Sequence, residues 1–127
     1  MRDIKFRGKS IDNREWVYGD LLIQKNSEQC LIRTYDTELQ EYVFHEVSPE
    51  TVGQYIGFKD DCNKEIYEGD IVKCYVDGKQ YLAKVLFRGG CFMFKIPRFP
   101  WYGGLVDTAN FEVVGNIYEN PELLEDE

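Results

Sequence analysis

Apolar and polar residues alternate along most of this chain in short runs, and no segment sustains a helical period over ten residues. The alternation predicts strands over residues 4–7, 15–17, 20–24, 30–35 and 42–47 in the first half. A bend or bulge at Tyr18-Gly19 separates the second and third of these. In the second half it predicts strands over 52–58, 65–67, 71–76, 80–87, 91–96 and 112–118. Asp77-Gly78 between two apolar runs is a hairpin signal, because both residues tolerate the positive φ that a tight turn demands. Arg88-Gly89-Gly90 marks a second hairpin. Ser48-Pro49-Glu50 and Asn120-Pro121-Glu122 each place a capping residue before a proline, which predicts single helical turns. Leu123 and Leu124 must then pack on the body, since so short a helix is not stable alone. The fold class is mainly β.

Two segments repeat. Glu15-Trp16-Val17-Tyr18-Gly19-Asp20-Leu21-Leu22 aligns with Glu65-Ile66-Tyr67-Glu68-Gly69-Asp70-Ile71-Val72, and Glu50-Thr51-Val52-Gly53-Gln54 aligns with Glu112-Val113-Val114-Gly115-Asn116. The order is the same in each half, which predicts two small β units of one plan, over residues 1–58 and 59–127. Gly19 and Gly69 are expected to take a positive φ, and Asp20 and Asp70 to bond turn amides. A Gly-Asp opening followed by short hairpins is common in small SH3-like barrels, which sets the expectation for the C-terminal unit by analogy of fold. The spacing from Gly-Asp to Val-Gly is 33 residues in the first copy and 45 in the second. The extra length falls at Pro97-Arg98-Phe99-Pro100-Trp101-Tyr102-Gly103-Gly104, a stretch with prolines, glycines and aromatics but no alternation.

A loop so apolar needs a cover. Either it folds back over one end of its own unit, or it meets a partner. Trp, Tyr and Arg dominate interface energies, so Arg98, Phe99, Trp101 and Tyr102 are the candidate partner-binding residues.

The chain has 127 residues, enough for one compact domain or two very small units, and 43% of them are hydrophobic. No apolar run reaches the length of a membrane span, and the start of the chain has no secretory-type apolar segment, so a cytosolic protein is expected. Residues 1–98 carry 16 acidic and 15 basic side chains, while residues 99–127 carry seven acidic and no basic ones. The net charge of −8 therefore describes one end of the chain, and a near-neutral body does not exclude nucleic acid.

Catalytic and metal-binding constellations are not legible. His45 is the single histidine and lies in a strand-like run, which leaves no base for a nucleophile triad. Cys30, Cys62, Cys74 and Cys91 form no Cys-x-x-Cys pair, so they read as free thiols. Asp60, Asp61, Asn63 and Glu65 resemble part of a calcium loop but lack its spacing and its closing glutamate, so they read as a polar turn. Arg88-Gly89-Gly90 lacks the Lys-Ser/Thr of a phosphate loop. No enzyme activity, cofactor or metal is expected.

The stretch from Val52-Gly53-Gln54-Tyr55-Ile56-Gly57-Phe58-Lys59-Asp60 through Lys64-Glu65-Ile66-Tyr67-Glu68-Gly69-Asp70-Ile71-Val72 closely resembles the YopX family of phage and prophage proteins. Ile4-Lys5-Phe6-Arg7 and residues 113–124 resemble it too, so the likeness covers nearly the whole chain. Cys62-Asn63 stands where the family usually has Asn-Gly in the central turn. The resemblance implies a β-rich fold with an SH3-like C-terminal part, a bacterial cytoplasmic setting and oligomers. It brings no catalytic residues. The expectation is a non-enzymatic phage or prophage accessory protein that binds another protein or its own copies. The alternative is single-stranded nucleic-acid binding through Lys5, Arg7 and Arg98 on one face with aromatics. A third idea is that the acidic C-terminal segment mimics nucleic acid.

Overall fold

A computed structural model describes residues 3–105 and 110–125. Asp107, Asp126 and Glu127, part of the acidic segment, lie outside them. The described chain is strand-rich, with two short 3-10 turns at Pro49–Thr51 and Pro121–Leu124. It divides into two compact units, Met1–Tyr55 and Ile56–Glu127. No helix among the described residues is long and apolar enough to cross a membrane.

The first unit contains β1 (Phe6–Lys9), β2 (Trp16–Gln24), β3 (Gln29–Asp36) and β4 (Glu41–Val47), followed by the start of β5 (Gly53–Lys59). Its strands lie in the order β4-β3-β2-β1-β5, all antiparallel. Alternation sends Cys30, Ile32 and Val47 inward, with Phe6, Val17, Leu21 and Val52 packed around them. The turn between β3 and β4 is tied by Asp36, whose Oδ1 accepts from the amides of Glu38 (2.9 Å) and Leu39 (3.1 Å). A lone bridge between Ser10 and Val47, and a bond from the Ile11 amide to the Glu46 carbonyl (3.0 Å), draw the far end of β4 toward β1.

The second unit contains the rest of β5, then β6 (Glu65–Tyr67), β7 (Asp70–Val76), β8 (Lys79–Arg88), β9 (Cys91–Lys95), β10 (Gly103–Gly104) and β11 (Glu112–Asn116). Its main sheet has the order β10-β9-β8-β7-β11. Val76 pairs with Lys79 and Arg88 with Cys91, so two-residue turns join β7 to β8 and β8 to β9. Asp77 (φ 52°) and Gly78 (φ 79°) form the first, and Gly89 and Gly90 (φ 62° and 82°) the second, in the positive-φ geometry that matches strand twist. The core gathers Ile56, Ile66, Val72, Cys74, Ala83, Val85, Ile96, Leu105 and Phe111.

Four expectations are corrected. The C-terminal unit does not close into a barrel: its five-stranded sheet is open, with β10 and β11 at opposite edges. Residues 97–104 are not simply an inserted loop, because Gly103 pairs with Phe94 and Gly104 with Met93, making the stretch a hairpin connection. Gly103 is needed there, since a Cβ would lie 2.2 Å from the Phe94 ring. Gly19 does not take a positive φ; it stays within continuous β2, whereas Gly69 has φ +96°. The helical turns carry prolines at their starts as expected, but neither Ser48 nor Asn120 caps through its side chain. Ser48 Oγ instead donates to Glu50, and Asn120 Oδ1 accepts from the Asn116 amide at 3.2 Å. Leu123 and Leu124 are half-buried, as a packed turn requires.

Candidate functional site

The β9–β10 connection brings Phe99 and Trp101 onto the core-facing side of β8. Tyr81 points there because alternation along β8 puts it on the same side as buried Ala83 and Val85. Phe99 packs edge-on against Tyr81, with centroids 4.9 Å apart, and joins the rim of the core. Trp101 leans on Phe99 at 5.1 Å and on Phe94 at 6.3 Å, yet remains 42% exposed. The aromatic stretch therefore divides: Phe99 folds back over its own unit, and Trp101 faces outward.

Lys95 holds the connection in place. Its Nζ donates to the carbonyls of Ile96 (2.9 Å) and Phe99, and lies 5.7 Å from the Tyr102 ring. Arg88 stacks over the other participant, Tyr102, at 4.4 Å, and its Nη1 donates to the Tyr102 hydroxyl at 3.1 Å. Tyr102 is thus half-buried and held by cations of its own unit, while Arg98 is exposed. Of the four candidate residues, Trp101 and Arg98 are open to solvent, and Phe99 and Tyr102 serve the connection's structure. Sequence reasoning missed Lys95 and Arg88; a basic residue on each strand flanking an aromatic turn was the available signal.

A groove of about 320 Å³ opens between this connection and the β7–β8 turn. Tyr81, Phe99, Pro100 and Trp101 form one wall, and Val76, Asp77 and Lys79 the other. The Trp101 indole N–H and the Tyr81 hydroxyl make no hydrogen bond with any described residue, so both donors are available to an occupant. Asp77 and Lys79 contribute opposite charges and leave the groove near neutral.

A second concavity, about 420 Å³ and wider, lies in the first unit between Thr34, Val43, His45 and the Asp36–Glu38 turn. His45 Nε2 approaches Thr34 Oγ1 at 3.4 Å. Asp36, a carboxylate lining the same concavity, is engaged in the turn, and no described carboxylate bonds His45 to orient it as a triad would require.

The Asp60–Glu65 turn has an architectural explanation. Asp60 is buried; its Oδ1 accepts from the amides of Cys62 (2.9 Å) and Lys64 (2.8 Å), and its Oδ2 from the amide of Val113 (2.8 Å). One carboxylate thereby fastens the turn to β11. Asp60, Asp61 and Cys62 place ligand-type atoms within 4.8 Å of one another. The neighbouring Cys62 thiol donates to Asp61 at 3.4 Å, and that bond, with the Asp61 charge, pushes its pKa upward. A thiol held protonated is a poor metal ligand and a poor nucleophile.

In the first unit the outer sheet face carries cations on rings: Lys5 over Tyr55 at 5.4 Å, Arg7 and Lys9 over Trp16 at 4.5 and 5.6 Å, and Arg33 over Tyr42 at 4.3 Å. Arg7 is only 6% exposed. Arg98 belongs to the other unit. Tyr18, Tyr35, Tyr42 and Phe44 share this outer face and are each about half exposed. These four were also missed, although strict alternation along β4 points to Tyr42 and Phe44.

A family model for the YopX protein matches residues 5–125. Among solved structures, the chain is similar to protein yopX from Bacillus subtilis, with 24% identity, a TM-score of 0.61, and coverage of 98% of this chain and 100% of that one. It is also similar to protein EF1440 from Enterococcus faecalis, with 20% identity, a TM-score of 0.60 and the same coverage. At these identities the likeness concerns the fold. No curated protein matches the chain.

Proposed function

The chain belongs to the YopX family, and from that premise we propose a non-enzymatic phage or prophage accessory protein, working in the bacterial cytoplasm by binding another protein or its own copies. The observation that carries this reading is Trp101. It stands 42% exposed on a platform of Phe94 and Phe99, at the mouth of an aromatic groove. Lys95 fastens the Phe99 carbonyl and Arg88 holds neighbouring Tyr102, so the aromatic surface is presented ready-made. Such an anchor, with Arg98 exposed beside it, has the composition of an interface hot spot.

Self-binding and binding of another protein separate in one experiment. Light scattering after size exclusion, over a hundredfold concentration range, reads the mass of wild type and of Trp101→Ala. A mass that rises with concentration in wild type only supports self-assembly through this surface. For a different partner, a photocrosslinking residue at position 98 should yield a defined protein adduct that Trp101→Ala abolishes. A monomer with no Trp101-dependent adduct would remove the proposal.

Single-stranded nucleic acid is the second reading, resting on the cation-bearing face of the first unit. Its weakness is that the cations already cover Tyr55, Trp16 and Tyr42, whereas bases need open ring faces. Filter binding with oligothymidylate at ~50 mM salt, where the electrostatic contribution is large, decides it: no retention ends that reading.

A further inference from the structure

We propose that the groove between the β9–β10 connection and the β7–β8 turn takes a proline-rich segment in polyproline II conformation. The inference rests on the reading of this groove as the binding surface, and adds the chemistry of what enters it.

Four observations select that occupant. The groove presents two hydrogen-bond donors, the Trp101 indole N–H and the Tyr81 hydroxyl, that bond no described residue. A polyproline II strand has no internal hydrogen bonds, so its carbonyls are free to accept. The walls are tilted aromatic rings, with Phe99 at 62° to Tyr81 and 48° to Trp101. The rings touch one another, at 4.9 and 5.1 Å between centroids, and form a continuous aromatic surface on which a flat, rigid pyrrolidine can lie; a chain already stiff loses little entropy on docking. The volume of about 320 Å³ is small for a cofactor but suits a few side chains of a passing segment. Lastly, Asp77 and Lys79 cancel in charge, so the groove gives no electrostatic attraction to a polyanion.

The probes are a decaproline peptide and a Gly-Ser decapeptide of the same length, titrated into the ¹⁵N-labelled full chain. The Trp101 indole N–H signal is identified by its loss in Trp101→Phe. Decaproline should shift that signal saturably, with a Kd between about 10 μM and 1 mM, while the Gly-Ser peptide leaves it in place. Trp101→Phe and Tyr81→Phe keep a ring and lose a donor, so each should weaken decaproline binding several-fold, read from other groove signals. Affinity should change less than twofold between 50 and 200 mM salt.

No shift with decaproline at millimolar concentration, or an equal shift with Gly-Ser, overturns the proposal. So does binding of oligothymidylate at the same residues with a steep loss in salt. A Trp101-dependent crosslinked partner that lacks proline-rich sequence also overturns it, while leaving the broader protein-binding reading intact. Absence of both the peptide shift and any such adduct removes the two together.

Discussion

The same Gly-Asp pair occurs once in each unit, and the two copies do different work. In the first unit the strand runs straight through. Its front half pairs with β1 up to Gly19, and its back half pairs with β3 from Asp20 onward. Gly19 is there because the Arg33 carbonyl oxygen lies 2.0 Å from where a Cβ would stand. In the second unit the equivalent strand is broken at Gly69, whose φ of +96° separates β6 from β7. Asp20 reaches into solvent toward Arg33, while Asp70 is buried and accepts the Tyr67 amide at 2.8 Å. One motif thus serves close backbone approach in one place and a sharp corner in the other. The return strands differ as well: β11 pairs directly with β7, whereas β1 lies between β2 and β5. The units share a three-strand meander with a return strand on its far side, but not every neighbour.

Substitution at Gly19 should have the largest effect. Gly19→Ala drives a methyl into a backbone oxygen that cannot rotate away, so β2 and β3 must separate. The expected cost is about 3 kcal/mol or more, above the usual range for overpacking. Urea unfolding measures it, and hydrogen exchange should locate the loss in β2–β3 amides. A cost below about 1 kcal/mol would show that the strands yield freely.

Asp70→Ala comes next. It leaves the buried Tyr67 amide without its acceptor, at a cost of about 2 kcal/mol, while Asp70→Asn keeps an oxygen in place and should cost less. Gly69→Ala should follow at about 1–2 kcal/mol, because the positive φ is resisted by any side chain. Its Cβ would also meet the Tyr118 ring at 2.9 Å, a contact the ring can relieve by shifting. An order with Gly69→Ala more damaging than Gly19→Ala would reverse the assignment of roles.

What was legible follows from what is local. The Asp77-Gly78 and Gly89-Gly90 turns are dictated by residues that touch one another, so both hairpins could be read from the chain. The apolar stretch around Trp101 was legible as a segment in need of cover, but which of its rings would fold back and which face outward depends on contacts with β8 and β9, outside the stretch itself. Gly19 was misread because its constraint comes from a carbonyl on another strand. Strand β10 was missed since two glycines carry no alternation, and their pairing depends on the distant ring of Phe94. The open sheet of the second unit was also beyond local patterning: closure depends on edge strands finding each other, and no turn residue encodes that.

Asp20→Ala should have the smallest effect, and its smallness is what sets the two aspartates apart. Arg33 donates to one Asp20 oxygen from Nε at 3.1 Å and Nη2 at 2.8 Å. Both side chains are well exposed, so water and salt weaken the attraction. Arg33 also keeps its place over the Tyr42 ring at 4.3 Å when Asp20 is gone. The loss should stay within about 0.5 kcal/mol at low salt and vanish near 1 M salt. Asp70→Ala, measured beside it, should keep most of its cost at 1 M salt, because a buried hydrogen bond is not screened. Equal salt sensitivity in the two variants would mean that the repeated aspartates act by one mechanism after all.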